Sequence, residues 1–380
     1  MKRIILLSIA FSITISGFSK GRLRDWGICP GIFQPGEYNA ITDVPGVKVG
    51  HVTKIEGDDI RTGVTAIIPH EGNLYQKKCP AAIFVANGFG KMAGYTQVAE
   101  LGTIETPIVM TNTLSVAPAI EGIVTYTLNQ KGNEKVKSVN SVVCEVNDGV
   151  VNNIRARKIT EKDVLKAIAK AESGPVKEGN VGAGTGSMCF SWKGGIGTSS
   201  RVLPQELGGY TVGVLVQTNY SGICEIAGFP AGKELGKYSF SQYTGSAKDS
   251  VLENHDGSCW MVLITDAPLD SRMLGRVAKR MFMGLGKTGS FAANGSGDYC
   301  MAISVYPDNL VNENTSNYYP VLLHDKAISP IFAAAVEATQ EALLNALFAA
   351  EEMKGYQGHK FEAFPVEQVM EKMGKKLIEK

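Results

Sequence analysis

The sequence predicts a large α/β domain in which helices cover buried strands. Hydrophobic residues make up 44% of the 380 positions, which is enough to build a sizeable core. Residues 259–264 form a continuous apolar run directly after a polar, turn-prone segment that ends in Gly257-Ser258, a pattern typical of a strand that is buried on both faces. Shortly after it, Met273, Leu274, Val277 and Met281 recur at helical spacing, which predicts an amphipathic helix packed on the sheet.

Charge and cysteine content exclude several classes of function. The chain carries 38 basic and 37 acidic side chains, a net charge of +1, so it lacks the basic surface expected for binding nucleic acid or an anionic membrane. The seven cysteines are scattered and form no Cys-x-x-Cys pair, which argues against a zinc site and against a dense disulfide framework. We therefore expect a small-molecule or peptide partner, no metal or other cofactor, and cysteines buried as small apolar residues.

The amino terminus predicts export. Basic residues at positions 2 and 3 precede the apolar stretch 4–15 and a set of small residues, the order found in secretory signal peptides. We place the cut near Ser19, so that residues 1–19 are the signal peptide and residues 20–380 are a single domain. The apolar stretch is too short to span a bilayer, and no later segment is expected to do so. The mature protein is expected to be secreted or periplasmic.

The first half of the chain alternates predicted strands and helices. A turn at Pro45-Gly46 precedes a strand pair, and the loop 87–91 is rich in glycine and able to offer backbone N–H groups to an anion. We predict strands at 63–69, 81–86, 106–113 and 141–146, and helices at 92–101, 116–128 and, after the capping box Thr160 to Asp163, to 171.

Glu145 is the unexpected residue in the strand 141–146. A carboxylate near the end of a buried strand, followed by the turn Asn147-Asp148-Gly149, needs a cationic or hydrogen-bonding partner. A substrate ammonium and a structural salt bridge are both consistent with that requirement.

The most glycine-dense segment is 179–198. Its Gly182-x-Gly184-x-Gly186 does not indicate a dinucleotide site, because no βαβ unit follows, and we expect twisted strands that line a cleft. A strand at 210–217 then leads to Asn219, whose side-chain amide is a candidate donor to an oxyanion. Residues 223–256 have the composition of an exposed linker.

The remaining elements follow the strand 258–265. The loop 288–298 is not a nucleophile elbow, but its Ser296-x-Asp298 places a hydroxyl and a carboxylate on the same side of an extended chain. A long helix is expected from the N-cap Ser329 to about Ala350, followed by a short helix at 367–376.

Ser258 lies at the mouth of the predicted central strand. One interpretation is an ordinary turn entering a core strand. The other is that the Gly257–Ser258 bond is a self-cleavage site, since a freed Ser258 carries both an Oγ nucleophile and an α-amine of pKa about 8 that serves as a nearby base.

Several motifs in order resemble the family of L-aminopeptidase/D-amidase-esterases and β-peptidyl aminopeptidases, the P1 or S58 peptidases. The resemblance covers nearly all of the mature chain. It is carried by 39–47, 100–107, 182–186, 214–220, 256–258, 265–269, 294–298 and 334–339.

The resemblance implies a four-layer α/β/β/α sandwich, similar to the N-terminal nucleophile hydrolases but with different connectivity. It implies self-cleavage into an α chain, 20–257, and a β chain, 258–380, which assemble as homo-oligomers, usually tetramers. The implied substrate is a small peptide, amide or ester with a free amino terminus. The roles it implies are Ser258 as nucleophile, Ser296 and Asp298 as the group that positions or deprotonates it, Asn219 as oxyanion donor and Glu145 as the ammonium-binding residue. Asn147 is a further candidate for substrate binding; it departs from one branch of the family, which has a tyrosine near the oxyanion at this position.

Two other functions remain as alternatives. An acyltransferase similar to the ornithine acetyltransferases would share the fold, but those enzymes use a threonine nucleophile. A non-catalytic periplasmic ligand-binding protein would use the glycine loops to contact its ligand.

Overall fold

A computed structural model describes residues 21–244 and 257–378. The predicted signal peptide, 1–19, lies outside the described residues. The strands are β1 (Lys48–Glu56), β2 (Ile60–Ile68), β3 (Lys77–Gly88), β4 (Met92–Ala93), β5 (Thr103–Ile104), β6 (Ile108–Asn112), β7 (Val142–Val146), β8 (Met188–Cys189), β9 (Trp192–Lys193), β10 (Ile196–Val202), β11 (Thr211–Asn219), β12 (Ser258–Thr265), β13 (Gly297–Ser304), β14 (Val311–Asn312), β15 (Met353–Lys354) and β16 (Lys360–Phe361). The α-helices are α1 (Tyr95–Leu101), α2 (Val116–Leu128), α3 (Glu161–Ala169), α4 (Ala231–Leu235), α5 (Ser271–Gly286), α6 (Ser329–Phe348) and α7 (Val366–Ile378).

Two stacked sheets and two helical layers form the fold. One sheet has the order β1-β2-β6-β7-β4, and the other has the order β10-β11-β12-β13-β3-β14 with β5 paired to β3. Helices α2 and α3 cover the first sheet, α5 and α6 cover the second, and β7 faces β11 and β12 between the layers. This arrangement confirms the predicted α/β/β/α sandwich.

Strand β12 is buried on both faces, as its apolar run predicts. Alternate residues point to opposite sides of a strand. Cys259, Met261 and Leu263 pack in the core between the second sheet and its helices. Trp260 and Val262 pack in the core that fills the space between the two sheets. The apolar run therefore serves two cores at once.

Some predicted segments differ from the structure. Residues 92 and 93 form a short strand on β7, and the helix begins only at Tyr95, after Gly94 adopts a φ of 82°. The predicted exposed linker is wrong over its first part, because Cys224 and Ile226 are fully buried in the helix-side core. Their apolar side chains are spaced too irregularly to reveal a core segment from sequence. The later linker residues, 245–256, lie outside the described residues.

Helix α6 is the longest helix in the described part of the chain. Its N-cap is Ile328, so Ser329 is its first residue and not its cap. Together with the preceding turn it is long and apolar enough to span a membrane by composition, but 83% of its most apolar window is buried inside the protein. It is a core helix that packs on β10 and β11.

The cysteines are placed as the sequence predicts. All seven are free thiols, and six of them are buried, with only Cys29 exposed. Burial raises the pKa of the Cys259 thiol, which lies next to the candidate nucleophile, well above its ordinary value. A neutral, buried thiol of this kind is a packing residue and not a reactive one.

Candidate active site

Ser258 begins β12, in the middle of the second sheet. Its partner across the antiparallel ladder is Asn219, the last residue of β11, and its partner across the parallel ladder is Gly297, the first residue of β13. Three strand ends therefore meet at Ser258. The Ser258 residue is only 5% exposed, and its hydroxyl is held among backbone groups.

The carbonyl oxygen of the Gly257–Ser258 peptide group accepts from one side-chain hydroxyl and one backbone N–H. Ser258 Oγ–H donates to the carbonyl oxygen of Gly257 at 2.5 Å. The Gly297 N–H donates to the same oxygen at 3.2 Å and lies 3.4 Å from Ser258 Oγ. A side chain at position 257 would meet the backbone of Asn219 at 2.6 Å, so the close approach here requires glycine.

Ser296 and Asp298 flank Gly297 and form a hydrogen-bonded pair. Ser296 Oγ–H donates to Asp298 Oδ1 at 2.9 Å, which is the same-side arrangement that the Ser-x-Asp spacing predicts. Burial raises the pKa of Asp298 to about 6, although the Ser296 hydrogen bond lowers it. Asp298 Oδ2 is buried without a partner among the described residues, and Asp298 stands in register with Cys259, one position beyond Ser258.

Asn219 is oriented by a backbone group of β8. Its Oδ1 accepts a hydrogen bond from the Met188 N–H at 3.0 Å. This contact fixes which side of the amide bears the oxygen and turns Nδ2, with its two N–H donors, away from Met188.

Glu145 is almost fully buried near the end of β7, at 2% exposure. Its Oε1 accepts the Lys91 N–H at 2.9 Å, and its Oε2 accepts the Thr113 hydroxyl. The Lys91 ammonium approaches to 3.8 Å but is itself 58% exposed. The glycine-rich loop before β4 therefore does present a backbone N–H to an anion, and that anion is Glu145.

Asn147 occupies a different setting from the other candidates. Its side chain is exposed, and its Oδ1 accepts the Gly149 N–H at 2.9 Å in a local turn. No hydrogen bond in the described part of the chain links it to Ser258, Asn219 or Glu145. A role in substrate binding stays a prediction for this residue.

Several residues that support the site carry no pattern that marks them in the sequence. Asn87 Nδ2 donates to carbonyl oxygens of the loop before β13, at Ala293 (2.9 Å), Asn294 (3.1 Å) and Ser296. The ring of Tyr299 stacks on Trp260 at 4.6 Å and lies against Gly90 of the loop that reaches Glu145. The Asn87 contacts join residues 206 or more positions apart, and the stacked rings lie on different strands, so local periodicity reveals neither.

Comparison with known proteins identifies the family of this chain. The model of peptidase family S58 matches residues 39–361. Among characterised proteins, the chain is similar to the beta-peptidyl aminopeptidase BapA of Sphingosinicella microcystinivorans, with 37% identity over 90% of this chain and 89% of that protein. This agrees with the family resemblance expected from the motifs.

Solved structures give the same result for the fold. A beta-aminopeptidase from Burkholderia sp. superposes with a TM-score of 0.84 at 36% identity, covering 93% of this chain and 99% of that one. The L-aminopeptidase D-Ala-esterase/amidase of Ochrobactrum anthropi, described as a variant of the Ntn hydrolase fold, superposes with a TM-score of 0.82 at 33% identity over the same shares.

Proposed function

Because the chain belongs to peptidase family S58 and is an aminopeptidase, we propose that it processes itself at Gly257–Ser258 and then works through the new terminus. Ser258 is the nucleophile of both steps, and an aminoacyl ester on its Oγ is the intermediate of turnover. The observation that carries this proposal is the contact of Ser258 Oγ with the carbonyl of Gly257, whose oxygen also receives the Gly297 N–H.

The geometry of that peptide group supports self-processing. Ser258 Oγ attacks the Gly257 carbonyl carbon, and the negative charge that develops on the Gly257 oxygen faces the Gly297 N–H. The C–N bond then breaks, the nitrogen of Ser258 takes the proton that Oγ loses, and an ester links Gly257 to Oγ. Water hydrolyses the ester and leaves a Gly257 carboxylate and a free Ser258 with hydroxyl and α-amine.

Turnover repeats the same chemistry on a substrate. The α-amine of Ser258, with a reference pKa of about 8, takes the proton from Oγ as Oγ attacks the first amide or ester carbonyl of the substrate. The proton passes to the leaving amine or alcohol as the C–N or C–O bond breaks, and water then hydrolyses the aminoacyl ester on Oγ. Asn219 and the Gly297 N–H are the proposed oxyanion donors, and one such donor typically contributes about 3 kcal/mol. The Ser296–Asp298 pair positions the nucleophile from the neighbouring strand end.

Glu145 is the proposed recognition group for the substrate's amino terminus. A buried carboxylate that is already held by a backbone N–H and a hydroxyl gains most from a cation that enters the site. We propose peptides, amides and esters with a free amino terminus as the substrate class, with β-amino acid residues included because similar proteins are β-peptidyl aminopeptidases.

The test combines fragment analysis with activity. Purified wild-type protein is expected to give two fragments on a denaturing gel, and mass spectrometry is expected to find a terminus that begins at Ser258. Ser258→Ala should remain one inactive chain, whereas the control Ser290→Ala, in a nearby loop, should cleave and turn over aminoacyl-p-nitroanilides normally. An intact wild-type chain with full activity would refute the proposal.

We also propose that residues 1–19 are removed on export, so that the mature protein is secreted or periplasmic, and that α/β pairs assemble as a homo-oligomer, in this family usually a tetramer. In support, the chain just after the proposed cut is held to the folded body, because the Arg22 guanidinium donates to Asn39 O at 2.8 Å and Thr198 O at 2.6 Å. Amino-terminal sequencing of protein from a periplasmic fraction and sedimentation equilibrium test the two parts; a retained leader or a single α/β pair would contradict them.

A further inference from the structure

We propose that Lys193 is a positioning residue for this reaction: its buried side chain holds and polarises the Ser187–Met188 peptide group, which in turn orients Asn219 beside Ser258. The inference rests on the proposed function, because it takes Asn219 as an oxyanion donor. It assigns a role to a lysine that makes no contact with the nucleophile itself.

The geometry forms a continuous chain of three groups. Lys193 Nζ donates to the Ser187 carbonyl oxygen and, at 3.3 Å, to that of Gly194. The Ser187 C=O and the Met188 N–H belong to one peptide group, and the Met188 N–H donates to Asn219 Oδ1 at 3.0 Å. A cation at the oxygen end of a peptide draws electron density from its nitrogen and strengthens the N–H as a donor.

The consequence for Asn219 is a single amide orientation. An asparagine side chain presents an acceptor or a donor to its surroundings according to which way its amide is turned. With Oδ1 held by a strengthened donor at Met188, the two Nδ2 hydrogens remain for the side of the site shared with Ser258, its ladder partner. The flipped amide would bring an oxygen toward a developing oxyanion and repel it.

Burying the ammonium group of Lys193 costs more free energy than an ordinary structural hydrogen bond returns. It is completely buried, and burial lowers the pKa of its ammonium to about 7, while the carboxylate of Asp148 and the Cys189 thiol raise it. Asp148 is also buried and is bound by Thr62 Oγ1 at 2.6 Å and Asn152 Nδ2 at 2.9 Å. No direct ion pair joins Lys193 to Asp148 among the described residues, so the ammonium is directed at the Ser187 carbonyl and not at the acid.

The turn that precedes Lys193 has a strained backbone, and this independently supports a positioning role for Lys193. Strands β8 and β9 are joined by a two-residue loop, Phe190 and Ser191, and both have positive φ, 51° and 72°. Such turns strongly favour glycine or asparagine, and other residues there cost about 1–3 kcal/mol each. The Phe190 ring packs edge-on against Tyr220 at 4.9 Å, and this contact holds the turn in place. Strain of this kind persists where the position of the chain serves the site.

The test is a double-mutant cycle between Lys193→Met and Asn219→Ala. We expect Lys193→Met to lower kcat and the rate of self-cleavage by a similar factor, about 10- to 100-fold, with KM changed less than threefold, because a displaced donor acts only on the transition state. In the Asn219→Ala background, Lys193→Met should have no further effect on kcat. The control is Lys237→Met, which removes a lysine stacked over Trp192 at 4.9 Å and should leave kcat unchanged.

A folding defect must be separated from a loss of positioning. Lys193→Met/Asp148→Asn removes both buried charges together, so no uncompensated carboxylate remains, and it should fold with the same loss of kcat. A folded double variant with wild-type kcat, or losses that multiply in the Asn219→Ala background, would overturn the inference and leave the proposed function standing. If Asn219→Ala itself retains full kcat, the oxyanion role of Asn219 fails, and the inference fails with it.

Discussion

At the residue scale, the site concentrates groups that destabilise the fold. Asp298 has one carboxylate oxygen buried without a partner among the described residues, and its pKa is raised by burial from 3.8 to about 6. A carboxyl group whose pKa is higher in the folded state binds more protons folded than unfolded, so its ionisation lowers the free energy of unfolding. The cost is absent below pH about 4 and complete above pH about 6. Asp298 carries this cost while its other oxygen accepts the hydrogen bond from the Ser296 hydroxyl.

This cost predicts that Asp298→Asn stabilises the uncleaved chain. In a Ser258→Ala background, which keeps every sample unprocessed, Asp298→Asn should raise the free energy of unfolding at pH 8 by about 1–2 kcal/mol. This gain is smaller than the raised pKa alone implies, because the new amide group is itself buried with a hydrogen-bonding atom unpaired. The gain should vanish near pH 4. Urea titrations at the two pH values measure it, and exposed Asp308→Asn is the control, expected within about 0.5 kcal/mol. A gain that is equal at both pH values would contradict the argument.

Glu145 offers a prediction that separates binding from chemistry. The precursor has no free amine at the scissile bond, so Glu145→Gln should cleave itself at the wild-type rate. Turnover of aminoacyl-p-nitroanilides should show KM raised about 10- to 100-fold, because a charge-assisted contact of roughly 1.5–3 kcal/mol is lost. Fragment formation is followed on gels and KM by absorbance. Slow self-cleavage in this variant would assign Glu145 to the reaction itself.

At the element scale, close approach of helix to strand decides which residues β10 tolerates. A side chain at Gly197 would meet the carbonyl oxygen of Ala342 at 2.0 Å and the nitrogen of Ala346 at 2.6 Å, both backbone atoms of α6. Neither helix nor strand can yield without breaking its own hydrogen bonds. The small residues of α6 therefore set the distance between the sheet that carries Ser258 and its covering layer.

Gly197→Ala is accordingly expected to lower the free energy of unfolding by about 1–3 kcal/mol, the usual cost of overpacking. The matched control is Gly286→Ala, at the end of α5, where an added Cβ meets nothing within 4 Å and φ is not positive. There alanine should be neutral or stabilise by up to about 1 kcal/mol. Thermal melts of the two variants give the comparison, and equal effects would contradict the steric argument.

Local patterns predict elements well and the supporting contacts of the site poorly. The helix from Val116 to Leu128 has the bounds that its sequence predicts, and the Ser296–Asp298 bond follows from the two-residue period of an extended chain. The sequence does not predict the contact of Lys193 with the Ser187 carbonyl. That contact depends on the two-residue turn Phe190-Ser191, whose residues disfavour a tight turn and which tertiary packing stabilises. The short strand at Met92–Ala93 is not predicted either, because it forms by pairing with β7, about fifty residues further along the chain.

At the scale of the whole molecule, the proposed cut divides the second sheet between two chains. Residues before the cut supply β10, β11 and β3, and residues after it supply β12, β13 and β14. The strand pairs β11–β12, β13–β3 and β3–β14 therefore cross the division. Helices α5 and α6, from the later part, cover strands of the earlier part. Arg201 of β10 and Glu341 of α6, both fully buried, pair at 2.8 Å across the same division.

The two fragments are therefore expected to behave as one folded body. Cleaved protein should elute as an undivided species in native buffer and unfold in a single transition, because neither fragment has the whole second sheet, and without that sheet the core between the two sheets is uncovered. Since unfolding releases two chains, the urea midpoint of the cleaved protein should rise with protein concentration, whereas that of uncleaved Ser258→Ala should rise less, its two parts being one covalent chain. Native mass spectrometry and urea titrations over a hundredfold range of concentration measure both. If the β chain, 258–380, eluted alone and kept its secondary structure, the second sheet would not depend on strands from both fragments, and the prediction would be wrong.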